Sequence, residues 1–209
     1  RDLERANLEA QLAALTAEMN PHMLFNALNT IASLVHSDPD RAEQTVLELA
    51  EVYRGILRVS GAKTHTLAEE LRLCEAYLRV ERARFGDRLA IVLDVDAHAL
   101  DRGPDVPVLV VQPLVENAIK HGLSPRASGG TVSLRVRVRG EGDAVDVLVE
   151  DDGVGLGASP SKGNGRALAN CAERLRLAYG GEASLDVAAN EGGGTRARLR
   201  LPAKKKKAA

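Results

Sequence analysis

Tryptophan is absent from the 209 residues, and only three tyrosines and two phenylalanines are present. That scarcity excludes nucleic-acid binding through stacked aromatic platforms, which need several exposed rings. An excess of one charge is missing as well. Lys and Arg number 28 against 29 Asp and Glu, a formal net charge of −1, so no overall field draws the chain to DNA or to an anionic membrane. The two cysteines, Cys74 and Cys171, match no metal spacing and suggest no disulfide framework; a reducing compartment is the default. No run approaches the roughly 18 apolar residues of a membrane span, and no signal peptide is visible. The charge run Lys204 to Lys207 reads as a solvated, disordered or added tail (203–209). The alternative, a nucleic-acid binder working through those lysines, predicts steeply salt-dependent retention on DNA.

What is there is a globular composition, 44% apolar and 27% charged, long enough for one ordinary domain or two small ones. Up to about residue 84 the period is helical. Leu8, Leu12, Leu15 and Met19 form one stripe, the next position on it is His22, and Leu24, Leu28, Ile31 and Val35 form a second, rotated stripe. Between them "EMNPHMLFNALNTIASL" places Asn20-Pro21, which either kinks the helix or caps a new one. Asp38-Pro39 marks a turn. A second helix follows with Val46, Leu49, Ala50, Tyr53 and Leu57 expected on its buried face. After the break at "SGAKTH", Thr66 to Glu69 reads as a capping box opening a third helix that buries Leu67, Leu71, Cys74 and Leu78. Two long amphipathic helices joined by a short turn cannot bury both faces alone, so dimerisation into a four-helix bundle is the natural solution.

From Gly86 the pattern alternates. "LAIVLDV" (89–95), "TVSLRVRVR" (131–139), "AVDVLVED" (144–151), "ASLDVAA" (183–189) and "TRARLRL" (195–201) read as strands, with helices near 108–121 and 167–179. Strands with helices over one face make an α+β sandwich.

Three signals in this half carry chemistry. "QPLVENAIKHG" sets Asn117 three and four residues before Lys120 and His121, nearly one helical face. A neutral amide oxygen suits one position on Mg²⁺, and a lysine supplies a point charge for phosphate. Asp151 closes a strand ahead of "DGVG"; such a carboxylate can accept from an adenine amine where glycines let backbone approach, although an Asp-Gly turn is the plain reading. "KGNG" and "NEGGGT" supply flexible amides of the kind that wrap phosphates.

In this order, and with "NPHMLFNALNTI" ahead of them, these motifs resemble the LytS/YehU-type sensor histidine kinases over about residues 8 to 202. The resemblance implies dimerisation and phosphoacceptor helices over 1–64, then a GHKL-type ATP-binding domain over 65–202 whose first part, 65–85, is a connecting helix. It implies that His22 is the phosphoacceptor, that Asn117 binds Mg²⁺, that Lys120 binds the ATP phosphates, and that Asp151 reads adenine in a pocket shaped by Gly153 and Gly155. Glu116 and His121 are further contacts in the same box. The ATP lid would be Leu156 to Asn164, with Gly163, Gly165, Ala167 and Leu168 at its exit and Gly192, Gly194 and Thr195 closing the far side. The implied cofactors are ATP and Mg²⁺. The implied partners are a second copy of the chain, a response-regulator receiver domain and an upstream sensory or membrane module; the setting is the cytoplasmic part of a membrane-anchored bacterial sensor.

Two departures from the family pattern stand out. Met23 follows His22 where the family usually has Phe; the acid that many histidine kinases carry just after the phosphoacceptor is missing, which leaves Glu18, one turn earlier, or solvent to take the proton. At the lid exit Gly165 matches the family's first glycine, but Ala167 stands where the family has its second, with Arg166 between. A backbone there that needed positive φ or close phosphate approach would disfavour alanine, and the chain would then be a catalytically weakened signalling scaffold; in a first helical turn alanine is harmless.

Overall fold

A computed structural model describes residues 21–59, 61–140, 144–157 and 166–204, without the side chains of Pro21, His22 and Arg166. The expected stripe from Leu8 to Met19, Glu18, Gly163, Gly165 and most of the lid lie outside the described residues. The chain divides into two units, Arg1–Gly61 with Glu75–Arg84, and Ala62–Cys74 with Phe85–Ala209. Among the described residues no helix is long and apolar enough to cross a membrane.

In the first unit, helix α1 (Pro21–Leu34) has Pro21 as its first described residue, where its fixed φ suits a first turn. It buries Met23 and Ala27 and leaves Phe25 64% exposed. Asp38 caps helix α2 (Pro39–Val59), its side chain accepting from Arg41 N at 3.1 Å. The buried seam of α2 is Ala42, Thr45, Leu49, Val52, Ile56 and Val59, a three-four repeat. Of the expected face only Leu49 lies on it; Val46 and Leu57 are exposed, as is Leu47. The reason is that α2 carries apolar residues on more than one face, and periodicity alone cannot say which of them the same chain covers.

The second unit opens with strand β1 (Thr64–Thr66) and the start of helix α3 (Leu67–Phe85), whose residues Glu75–Arg84 count with the first unit. The capping box forms as expected: Thr66 N donates to Glu69 Oε2 at 2.9 Å and Glu69 N to Thr66 Oγ1 at 3.2 Å. Leu67, Leu71, Cys74 and Leu78 are all buried. Strand β2 (Leu89–Val95), short helix α4 (Ala97–Arg102) and strand β3 (Asp105–Pro107) follow. The pairing of β1 with β3 and the helix α4 were not expected; three-residue strands carry too little alternation to read.

Helix α5 (Gln112–Asn117) runs into a π-helical turn over Ala118–Leu123, then come strands β4 (Gly130–Arg139) and β5 (Ala144–Asp151), helix α6 (Arg166–Tyr179), and strands β6 (Ser184–Ala189) and β7 (Thr195–Pro202). The five-stranded sheet has the order β2-β4-β5-β7-β6, with β2 parallel to β4 and every other pair antiparallel. Alternation sorts its faces: Val132, Leu134 and Val136, then Val145, Val147 and Val149, then Ala197, Leu199 and Leu201 point inward and are buried. Asp151 is the next position on the inward row of β5. Alternation therefore carries a carboxylate into the end of the core.

Leu199 is fully buried and Leu177 on α6 is 70% exposed. Leu199→Ala should lower the unfolding free energy of the sheet by about 2–5 kcal/mol in urea titration, and Leu177→Ala by no more than about 0.5 kcal/mol. Equal losses would contradict this assignment of the core.

Candidate functional site

The site is built where β5, the turn after α5 and the start of β7 converge on Asp151. Asp151 as a whole is 3% exposed. Oδ1 accepts from Gly153 N at 2.9 Å, and the Thr195 backbone N–H also donates to the carboxylate. Burial pushes the carboxyl above the ordinary aspartate range; those two hydrogen bonds pull it back, and the neighbouring Asp152 adds to the rise.

Three glycines make this burial possible. A Cβ on Gly122 would overlap the Asp151 carboxylate, one on Gly153 would overlap the Gly122 carbonyl, and one on Gly194 would overlap the Asp151 carbonyl. Val154 N donates to Gly122 O at 3.0 Å, which closes the contact between the two loops. Gly153 and Gly194 were expected here. Gly122 was not; as the last letter of "IKHG" it reads as a helix stop, and only the tertiary contact gives it a reason.

Asp152 does separate work. It faces away from the inward row, and its Oδ1 accepts from Thr131 N at 2.7 Å while its own N–H donates to Thr131 O at 3.2 Å. The Arg126 guanidinium donates to its carbonyl. Asp152 thus fastens the entry of β4, leaving Asp151 to face the core end.

The π turn changes the expected geometry of "ENAIKHG". Ser124 N donates to Ile119 O at 2.8 Å, an i to i−5 bond. A wider turn takes more residues per revolution, so Lys120 and His121 do not keep α-helical angles from Asn117. Lys120 is exposed, whereas Asn117, Glu116 and His121 are half-buried. Gln112 Nε2 donates to Glu116 Oε1 at 3.1 Å and orients it. Burial, with the charge of Lys120, lowers the His121 pKa, so its imidazole is neutral at pH 7.

The remaining candidates are placed as follows. Thr195 is half-buried at the start of β7, Gly155 has φ +83°, and Gly192 is open to solvent. Ala167 and Leu168 lie in the first turn of α6, Ala167 exposed and Leu168 half-buried. Ala167 has no positive φ; among described non-glycine residues only Leu109 does. His22 belongs to the first unit and its side chain lies outside the described residues, as do Gly163 and Gly165. Cys171 is buried and its thiol is pushed up to about 11, chiefly by burial, so it is inert.

The donor set discriminates among cofactors. Among the described residues no group of three or more His, Cys, Asp or Glu could cage a metal. One half-buried amide oxygen, that of Asn117, could give a hard cation such as Mg²⁺ a single ligand, with waters and phosphate oxygens as the others, while the exposed Lys120 supplies charge for phosphate.

The histidine kinase family model matches residues 10–89, and the model for histidine kinase-, DNA gyrase B- and HSP90-like ATPases matches residues 104–205. The chain is 34% identical over 205 residues to the sensor protein LytS of Enterococcus faecalis, covering 93% of this chain and 34% of that protein. It is 36% identical over 185 residues to the sensor histidine kinase YpdA of Escherichia coli, covering 85% and 32%. The chain thus spans about a third of the length of these curated relatives. The nucleotide-free catalytic domain of the histidine kinase ThkA shares the fold, with TM-score 0.52 and 16% identity over 68% of this chain and 97% of that one.

The raised Asp151 pKa has a testable sign. Below the ordinary aspartate value both the folded and unfolded chains hold the proton. Between that value and the raised one only the folded chain does, so stability falls as pH climbs through this window. Asp151→Asn removes the dependence. Its unfolding free energy relative to wild type should therefore rise as pH climbs above the ordinary aspartate value in urea titrations; a difference that stays flat with pH would contradict the burial account.

Proposed function

Because this chain belongs to the sensor histidine kinase family, we propose that it is the catalytic core of a two-component sensor: an ATP-dependent protein-histidine kinase that phosphorylates itself on His22. The observation that carries the reading is Asp151, a buried carboxylate at a strand end enclosed by Gly122, Gly153 and Gly194. A carboxylate in that position accepts from an exocyclic amine, which selects adenine over a base carrying a carbonyl there.

Asn117 would hold Mg²⁺ through its side-chain oxygen, and Lys120 would neutralise phosphate charge. MgATP, when bound, supplies the γ-phosphoryl group. A neutral imidazole nitrogen of His22 forms the new bond to phosphorus as the bond to the β-phosphate oxygen breaks and ADP leaves. Glu116, held by Gln112, and His121, neutral at pH 7, add polar contacts in the same box. Gly155, Gly163, Gly165, Leu168 and Thr195 would line the nucleotide or its lid. Residues 1–64 serve as the dimerisation and phosphoacceptor segment and 65–202 as the ATP-binding domain. The exposed Phe25, Val46, Leu47 and Leu57 support a homodimer, since a second copy would cover them. The phosphoryl group then passes to an aspartate of a response-regulator receiver domain, and the whole sits on the cytoplasmic side of a membrane-anchored sensor.

The rival reading, a scaffold disabled at Arg166-Ala167, finds less support. Ala167 lies in the first turn of a regular helix, where a methyl group is welcome.

Incubation with γ-labelled ATP and Mg²⁺ tests the proposal. Acid-labile, alkali-stable label should appear on the wild type and fall at least about 100-fold in His22→Gln and Asn117→Ala, the loss of an essential transfer or positioning group. Label that survives His22→Gln would remove His22 as the acceptor, and an unlabelled wild type would favour the scaffold.

A further inference from the structure

Glu70 is a glutamate with none of its surface exposed, and neither the motifs nor the proposed chemistry uses it. Its two oxygens are saturated. Oε1 accepts from Val111 N at 2.7 Å and Gln112 N at 3.1 Å; Oε2 accepts from Leu109 N at 2.9 Å and meets His65 Nε2 at 2.6 Å. The three amides belong to the segment that leads into α5, whose first turn has no helical acceptors for them. Leu109 there holds φ at +57°, a left-handed conformation that a leucine adopts only when its surroundings impose it. On the other side of the same segment, the Arg174 guanidinium of α6 donates to the Val108 carbonyl. A buried carboxylate would be costly here without these partners, and with them it fixes the backbone rigidly.

What that segment carries is the nucleotide box. Gln112, whose N–H Glu70 accepts, in turn orients Glu116, and Asn117 follows at the end of α5. We propose that Glu70 is a positioning residue for the kinase reaction: it locks residues 109–112 so that α5 presents Glu116 and Asn117 to MgATP. His65 from β1 completes the shell of the carboxylate. This rests on the proposed function for its catalytic consequence, but the lock itself is a property of this segment alone.

The test compares wild type, Glu70→Gln and His65→Gln. Glutamine offers one acceptor oxygen where the carboxylate offers two, so at least one backbone donor loses its partner. In Glu70→Gln, hydrogen exchange at Leu109, Val111 and Gln112 should accelerate about tenfold or more while amides of Val147 and Leu199 stay unchanged. The apparent KM for ATP in autophosphorylation should rise about tenfold, with kcat changed less than KM. His65→Gln, which keeps a nitrogen donor facing Glu70, should hold KM within about threefold of wild type. Uniform acceleration of exchange across the sheet, or an unchanged KM, would reduce Glu70 to general stability and overturn the proposal. A wild type without autophosphorylation would defeat the proposed function instead, and the exchange measurement would still decide whether Glu70 locks the segment.

Discussion

Backbone packed against backbone around one buried carboxylate is the constraint on which the second unit depends. Gly122 comes from the π turn after α5 and Gly153 and Gly194 from two separate loops, and at each of them a single methyl group would overlap Asp151 or its immediate neighbours. Nothing larger than hydrogen fits, so the loops are drawn together and the carboxylate is sealed with two backbone N–H donors as its partners. Desolvation alone would oppose this; the hydrogen bonds make it tolerable. A group held that way is preorganised to accept one further hydrogen bond from whatever enters beside it.

The adjacent pair Asp151-Asp152 shows how alternation divides labour between like residues. The inward register that places Val145, Val147 and Val149 in the core places Asp151 there too. The next residue faces away and fastens β4 through Thr131. Two identical side chains thus take different surroundings, one in the core end and the other on the entry of β4, separated only by the two-residue period of a strand. Glu70 and Arg174 play the corresponding part for the segment before α5, one accepting from its N–H groups and the other donating to its carbonyl.

Much of this was legible in the sequence. The runs 89–95 and 144–151 form strands with the expected limits, and the Thr66–Glu69 capping box forms with both of its hydrogen bonds. The signals were strong because alternation and capping are local. What escaped was tertiary. The π turn over Ala118–Leu123 leaves no mark in periodicity, since the same residues suit an α-helix. Gly122 reads as a helix stop until Asp151 is seen beneath it. Glu70 sits in "LAEELRL" beside Glu69, and propensity cannot tell that one caps a helix in solvent while the other is wholly buried. The seam of α2 was misjudged for a related reason: apolar residues on several faces need to be matched to a partner before any one face can be named.

Asp151 in its glycine enclosure is the proposed adenine-reading group of a nucleotide site. Calorimetric titration of a non-hydrolysable ATP analogue with Mg²⁺ into wild type and Asp151→Asn, both checked for intact folding, tests it most directly. The wild type should bind in the micromolar to sub-millimolar range and the variant at least about tenfold more weakly, the effect of removing a buried charge-assisted acceptor. Equal affinity for the two proteins would contradict that role.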